Sequence, residues 1–476
     1  MTSDRNTLVA WLAIALVLGF ILFLLPWSSP KANAIPAFSR KYQTSCATCH
    51  NNYPELNDFG EAFKKSGFKF PKDDDTFVKE PPVLLGAKAQ KEAFPKAIYP
   101  GEIPGNLPIA FRYSGLANYN SKQPISLGFL PRTDLFAPNT FTIIAAGSFG
   151  PVLSFWIDND ISAGGSNAAA GLGDGYLKVN DLGHYIGLPK DTLNLRMGQF
   201  ELDLPFSQAR TINLTPYDVY SQASIAGLQG TTNNPFVFGV PQRGIEIGGY
   251  PKDGNFSWSI AIVNGSNNTP AMRNSKDIYV RLSQKFNLER DPAVRKEVQA
   301  AGPTGPRDHT SLRFGAFYYY GRNALNMDGI LFPALPTIHE PFYRAGGDVR
   351  FKYRKFELWG LGMYGHDTNQ VPNGGGTGFV SATPVTFTGG FAEAEYWLYP
   401  WLIPIMRYDF VNSPTDMING IAVKATRSRF SPGVELLVRA NIKLAFEYQR
   451  RWQKPVPNST QVFRGNGFSI GFDYVF

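Results

Sequence analysis

Apolar and polar positions alternate with a period of two from Leu107 onward, the spacing of strands that show one apolar and one polar face. Ile442, Leu444, Phe446 and Tyr448 alternate with Lys443, Ala445, Glu447 and Gln449. Ile278, Val280, Leu282 and Phe286 alternate with Tyr279, Arg281, Ser283 and Lys285, and Tyr343, Ala345, Val349 and Phe351 with Arg344, Asp348, Arg350 and Lys352. About sixteen such segments are readable, beginning near Leu107, Thr140, Val152, Gly171, Thr192, Gly239, Asn255, Asp277, Ser311, Glu340, Lys355, Val385, Trp401, Arg427, Ile442 and Asn466. Ahead of Leu107 the period is helical: Leu56, Phe59, Ala62 and Phe63 follow Pro54, and Gly67 is placed to end the helix.

Alternation alone fits a soluble sandwich as well as a membrane barrel. Three features favour the barrel. The strand number is even, as in bacterial outer-membrane barrels. Long connections (Pro205 to Phe238, Asn323 to His339, Thr368 to Pro384) interleave with short ones (Gly150-Pro151, Pro251 to Gly254, Ala440-Asn441), the rhythm of extracellular loops and periplasmic turns. The last segment, Gly467 to Phe476, is an alternating strand with aromatics on one face and a terminal phenylalanine, and it resembles the strand by which outer-membrane proteins are recognised for insertion. Leu288 to Thr310 breaks the rhythm with a long stretch where a turn is expected. Thr383 to Leu398 shifts phase between Phe387 and Ala392, where Gly389-Gly390 could host a bulge.

Composition agrees with strands of two unlike faces: aromatics make up 14% and charged residues only 18% of 476 residues. The formal charge of +8 is not gathered into a basic run, so no nucleic-acid partner is expected. Residues 1–34 read as a secretory signal, with Arg5, an apolar run from Leu8 to Trp27, and Ala32-Asn33-Ala34 as the cleavage site before Ile35. An uncleaved anchor is the competing reading, since a run of about 20 residues can span a bilayer. Residues 35–106 form a small helical domain with a proline-rich connector from Pro71 to Gly105, and residues 107–476 form the barrel.

The small domain carries Cys46-Ala47-Thr48-Cys49-His50, the spacing that attaches a c-type haem covalently. The two thiols add to the vinyl groups and His50 becomes the proximal iron ligand. Half of a zinc site would show the same spacing, but zinc needs a second ligand pair and the chain has no other cysteine. One covalent haem c is therefore expected, held by Cys46, Cys49 and His50. The fold class is mainly β: an antiparallel outer-membrane β-barrel of about sixteen strands with a small N-terminal α-helical cytochrome c domain.

Between Ile35 and Asn106 there is no methionine and no histidine besides His50, so a distal ligand would have to come from the barrel. His184, His309, His339, His366 and Met363 are the candidates. A barrel of this size has a lumen wide enough for a plug, and a domain of about 70 residues has a radius of gyration near ~11 Å. Arg281, Lys285, Arg313, Arg344, Asp348, Arg350, Arg407, Asp409, Glu435, Arg439, Lys443 and Glu447 fall on the inward parity. They either hold such a plug by charge pairs or solvate a pore.

The local sequence Pro36-Ala37-Phe38-Ser39-Arg40, Cys46-x-x-Cys49-His50, Pro54-x-Leu56, Gly60-x-x-Phe63 and Gly67-Phe68 resembles the fused outer-membrane monohaem cytochrome-porins of iron-oxidising bacteria. The motif covers about the first tenth of the chain, and over the barrel the resemblance is one of architecture. It implies oxidation of extracellular ferrous iron, with the electron passed through the haem to a periplasmic cytochrome c by a monomeric conduit in outer-membrane lipid. Two other classes stay open. One is a porin for small anions gated or sensed by its haem; the other is a surface haem enzyme working at an open sixth coordination position.

Overall fold

Sixteen strands pair in chain order and close into one antiparallel barrel in the computed structural model. It describes residues 37–70, 74–79, 83–84, 92–96, 102–103, 105, 107–121, 132–150, 152–163, 171–207, 214–221, 236–251, 255–265, 274–289, 310–325, 338–372, 379–418, 421–453 and 465–476. The signal and its cleavage site, His309 and most of the proline-rich connector lie outside these residues. The first eight strands are β1 (Ile109–Asn120), β2 (Thr133–Phe149), β3 (Leu153–Ala163), β4 (Gly171–Val179), β5 (Asn194–Phe200), β6 (Gln242–Gly249), β7 (Phe256–Val263) and β8 (Asp277–Asn287). The second eight are β9 (Ser311–Leu325), β10 (Ile338–Tyr353), β11 (Phe356–Pro372), β12 (Phe379–Tyr396), β13 (Leu402–Ile418), β14 (Ile421–Arg439), β15 (Ile442–Gln453) and β16 (Gly467–Val475).

Closure leaves no sheet edge, because β16 pairs with β1 from Gly467↔Asn120 to Val475↔Arg112. The ladder is extended by Phe476, whose N–H donates to the Phe111 carbonyl at 2.9 Å while its own carbonyl accepts from Phe111 at 2.7 Å. Outward positions make continuous apolar rows. Ile247, Ile260, Val280, Tyr318, Ala345 and Tyr364 are successive cross-strand partners over β6 to β11. A soluble fold would bury such a band; a bilayer solvates it, and the protein is an outer-membrane barrel. Among the described residues no helix is long and apolar enough to cross a membrane.

Several expectations change at the loop end. The Thr368 to Pro384 loop is largely ladder, since β11 runs to Pro372 and β12 starts at Phe379, with a register shift between Asp367 and Asn369. No bulge occurs at Gly389-Gly390, whose partners Met363 and Gly362 follow in unbroken register. The apparent phase shift has another cause: Phe387, Phe391, Glu393 and Glu395 all point inward, so one face changes from aromatic to acidic. Arg439 follows a register irregularity after Leu437 and is exposed at the turn end rather than inside the lumen.

Two segments enter the lumen. The first comprises residues 37–70 and 74–79, containing α1 (Ala37–Tyr42), α2 (Asp58–Lys65) and α3 (Asp74–Phe77). Tyr42, Phe63 and Phe68 pack with Phe38 and Phe70 and against Ala146 and Trp156 of the wall. Ion pairs and hydrogen bonds tie the segment to the turn half of the barrel: Lys285 to Asp58 at 2.6 Å, Arg350 to Glu55, Asn52 to Glu435, and Lys69 to the Gly150 carbonyl at 2.5 Å. The second is the loop after β5, whose Leu202, Leu204, Phe206, Tyr217, Tyr220, Phe236 and Phe238 are buried against inward Tyr279, Phe317, Tyr319, Trp359, Met363 and Phe391. This loop includes α4 (Asp218–Ser221) and crosses to the far wall, where Arg407 donates to the Thr215 carbonyl at 2.9 Å and Arg429 pairs with Asp218 at 3.2 Å.

Candidate functional site

The Cys46-to-His50 loop is shaped by the helix that follows it. Cys46–Thr48 is a single 3-10 turn capped by Ser45, whose hydroxyl accepts the Ala47 N–H at 3.3 Å. Asn57 caps α2 by accepting the Gly60 N–H at 2.8 Å, and its amide donates to the Thr48 carbonyl at 3.0 Å. The Asn57 N–H donates to the Cys49 carbonyl at 3.0 Å. One residue therefore binds both the helix start and the attachment loop. Gly60 is required by the same packing, since a Cβ there would overlap the Cys49 carbonyl and touch Leu56. Acidic Asp58 and Glu61 in the first turn and basic Lys64 and Lys65 in the last favour α2 through its dipole. Gly67, at φ +74°, ends it as expected.

His50 and Leu56 are paired across a tight hairpin, which turns His50 Nδ1 toward the Glu55 carbonyl at 3.2 Å. A carbonyl oxygen only accepts, so Nδ1 carries the proton and Nε2 has the lone pair that binds a metal. This is the outer-shell hydrogen bond that orients a metal-ligating imidazole. Cys46 and Cys49 are not joined to each other. Burial raises the Cys46 thiol and pushes Cys49 up to about 12, with the Cys46 charge adding to the second, so both are neutral thiols. The three residues thus fit covalent haem attachment: two unpaired thiols and an imidazole in the binding tautomer, on one loop.

Among the described residues the distal candidates His184, His339, His366 and Met363 are not gathered at His50. His184 is exposed in the 3-10 turn Leu182–Ile186 between β4 and β5. His339 and His366 lie on the outward parity of β10 and β11, where His366 stacks on Tyr343 with centroids 5.1 Å apart. Met363 points inward as expected but is 4% exposed within the aromatic layer. It stands six residues along β11 from Glu357, roughly 20 Å at strand rise.

Under the aromatic layer lies a group of carboxylates that alternation did not single out. Arg350 bridges Glu55 of the hairpin and Glu357 of β11, with its guanidinium 5.4 Å from the centre of the Trp359 ring. Glu395 is the direct cross-strand partner of Glu357, and Glu393 lies two residues along the same inward face. Burial, reinforced by Glu357 and opposed by Arg350, pushes the Glu55 carboxyl up to about 7. A cavity of about 170 Å3 extends from Glu395 and Glu55 to Lys65 and Lys178 near the opposite wall. The signal for this layer was present as Glu393-x-Glu395 at strand spacing.

No protein-family model matches the chain, and no curated protein matches it. Among solved structures, the outer membrane channel DcaP of Acinetobacter baumannii is similar, with 14% identity over 77% of this chain and 96% of that one and a TM-score of 0.47. The anion-selective porin from Comamonas acidovorans shows 12% identity over 77% and 98% of the two chains, with a TM-score of 0.47. OmpF of Salmonella typhi shows 10% identity over 77% and 97%, again with a TM-score of 0.47. At that level of similarity nothing about ligand or selectivity passes from them to this chain.

Proposed function

We propose that this protein is an outer-membrane electron conduit of the fused cytochrome-porin type, which takes electrons from extracellular ferrous iron and passes them through one haem c to a periplasmic cytochrome c. Cys46 and Cys49 would hold the group through thioethers and His50 through Nε2. When bound, haem c supplies a centre that accepts and gives one electron at a time, matching a one-electron donor. The observation that carries the reading is the attachment loop's place inside the barrel: the Glu55 carbonyl fixes the His50 tautomer, and Arg350 fastens the Glu55 carboxylate to the wall. Asn57 keeps the loop against α2, and the aromatic layer stands between the loop and the far mouth. An open porin has less support, because two segments of the chain occupy the lumen.

The test is an anaerobic spectrum of the detergent-solubilised protein before and after ferrous iron is added. The reading expects the spectrum of reduced haem. If ferrous iron leaves it oxidised while a periplasmic-type cytochrome reduces it, electrons flow outward or from another donor, and the iron-oxidase assignment fails. The placement of the described distal candidates, His184, His339, His366 and Met363, away from His50 favours a second reading, a haem enzyme with an open sixth position. A high-spin ferric spectrum with ligand-dependent turnover would favour that one, and a six-coordinate low-spin spectrum the conduit.

A further inference from the structure

Glu395 is 1% exposed and lines the lumen cavity, and neither of its carboxylate oxygens has a hydrogen-bond partner among the described residues. A buried carboxylate left in this state is costly unless a cation or a proton compensates it. The surroundings supply more of the same charge. Glu357 stands directly across the ladder, and Glu55, Glu393 and Glu435 are also within electrostatic reach. Three cations of this layer are already engaged: Arg350 with Glu55 and Glu357, Lys352 with Glu357 at 3.7 Å, and Lys443 with Glu435 at 3.5 Å. With Arg313, the cross-strand partner of Arg350 and part of the same cavity lining, five carboxylates face four cations among the described residues, a deficit of one positive charge. Including the neighbouring Arg407 does not close it, because Arg407 is held by Asp409 at 2.8 Å and is 3.6 Å from Glu447. Of the cavity's other cations, Lys65 and Lys178 stand near β4, half the barrel's circumference from β12, while Arg281 and Arg196 are paired with Asp348 and Glu246.

We propose that the β11–β12 wall at Glu357, Glu393 and Glu395 binds one divalent cation that keeps its water shell. The hydrated form follows from the geometry: among the described residues no three histidine, cysteine or acidic side chains already converge on one coordination centre. The cavity has room for several waters to bridge the difference. Small hard divalent ions shed water reluctantly and are commonly held by one or two carboxylates with waters filling the remaining positions. The carboxylates give the charge, and Trp359 with the aromatic layer lowers the dielectric above them. Ferrous iron belongs to this class of ion, and naming the site as the donor's resting place inside the barrel rests on the proposed function; the site itself does not.

The test uses the full-length detergent-solubilised protein and Mn2+ alone, followed by the loss of the free aquo-ion signal in electron paramagnetic resonance. The wild-type protein should bind one Mn2+ at this layer. Glu395→Gln, which keeps the shape and removes the charge, should weaken it by roughly 10-fold or more, and Glu393→Gln should weaken it too. Heat-modifiability on a gel confirms that each variant is a folded barrel, and two variants guard against the failure of one. Absence of Mn2+ binding by the wild type, or unchanged binding by both folded variants, overturns the proposal. Mn2+ binding with these losses, in a protein whose haem ferrous iron does not reduce, would sustain this site and sink the iron-oxidase reading.

Discussion

Arg350→Ala removes an ion pair that joins the attachment hairpin to the barrel. Its guanidinium donates to Glu55 on the hairpin and to Glu357 on β11, and it rests 5.4 Å from the Trp359 ring centre. The side chains of Arg350, Glu55 and Glu357 are 17%, 10% and 3% exposed, so solvent screens the pairs little. Truncation leaves two carboxylates facing Glu395, with Lys352 3.7 Å from Glu357. Breaking a buried pair from one side costs about 3–5 kcal/mol. If that cost falls on docking, the population with the hairpin released rises between about 100-fold and several thousand-fold, at 1.4 kcal/mol per factor of ten. Amide hydrogen exchange of Asn51 to Leu56, followed by mass spectrometry on the whole protein, reads this population directly. Arg350→Lys keeps the charge but not the forked geometry and should fall between. Unchanged exchange in the alanine variant would refute the claim that this bridge holds the hairpin in place.

Gly60→Ala should displace the Cys49 carbonyl, at a cost of roughly 1–3 kcal/mol for an overpacked site, and lower the yield of covalent haem on a peroxidase-stained gel. Gly362→Ala, where a Cβ meets open space, is the control and should leave that yield unchanged; equal yields in the two would show that α2 does not shape the loop. Tyr217 and Phe391 stack with centroids 3.8 Å apart in the aromatic layer. Replacing both by alanine should raise ion conductance in a planar bilayer above a nearly silent wild type, and a wild type that already conducts like a porin would contradict a closed lumen.

The barrel was legible because lipid imposes one rule on every strand: apolar outward, with no free edge. All sixteen segments are strands, and segments beginning at Gly171, Asp277, Ser311 and Ile442 start where alternation placed them. The largest offsets are at the loop end, where Thr133, Phe379 and Ile421 begin strands expected at Thr140, Val385 and Arg427. Beyond the bilayer both faces of a strand meet water, so the pattern fades while the hydrogen-bond ladder continues. The attachment loop was legible as a motif, but the residues that shape it were not. Asn57, Gly60 and the Glu55 carbonyl act through backbone hydrogen bonds and close approach, which hydropathy does not record.

The lumen was the least legible part, because the rule that the inward face is polar holds only where the lumen is wet. Phe317, Tyr319, Trp359, Met363, Phe387 and Phe391 point inward because the loop after β5 supplies them with an apolar partner. The order along the barrel follows: an Arg344–Asp367 pair toward the loops, then aromatics, then carboxylates, then the His50 hairpin. Ten residues separate Asp367 from Glu357 on β11, roughly 33 Å along the strand and about 25 Å along a tilted barrel's axis. In the proposed conduit a donor that stays at the outer mouth would face that thickness of protein, which direct transfer from the mouth to a haem at His50 would not accommodate. Electronic coupling decays more slowly through packed and hydrogen-bonded atoms than across voids, and one contiguous chain covers the inner part of this path, from the level of Leu361 inward. Tyr217 stacks on Phe391, Phe206 meets both Phe391 and Trp359, Trp359 lies by Arg350, and Arg350 holds Glu55, whose carbonyl accepts from His50. The Tyr217 and Phe391 substitutions that open the lumen also cut this chain. Conductance should rise as the rate of haem reduction from the loop side falls, a linkage that a porin with an incidental haem has no reason to show.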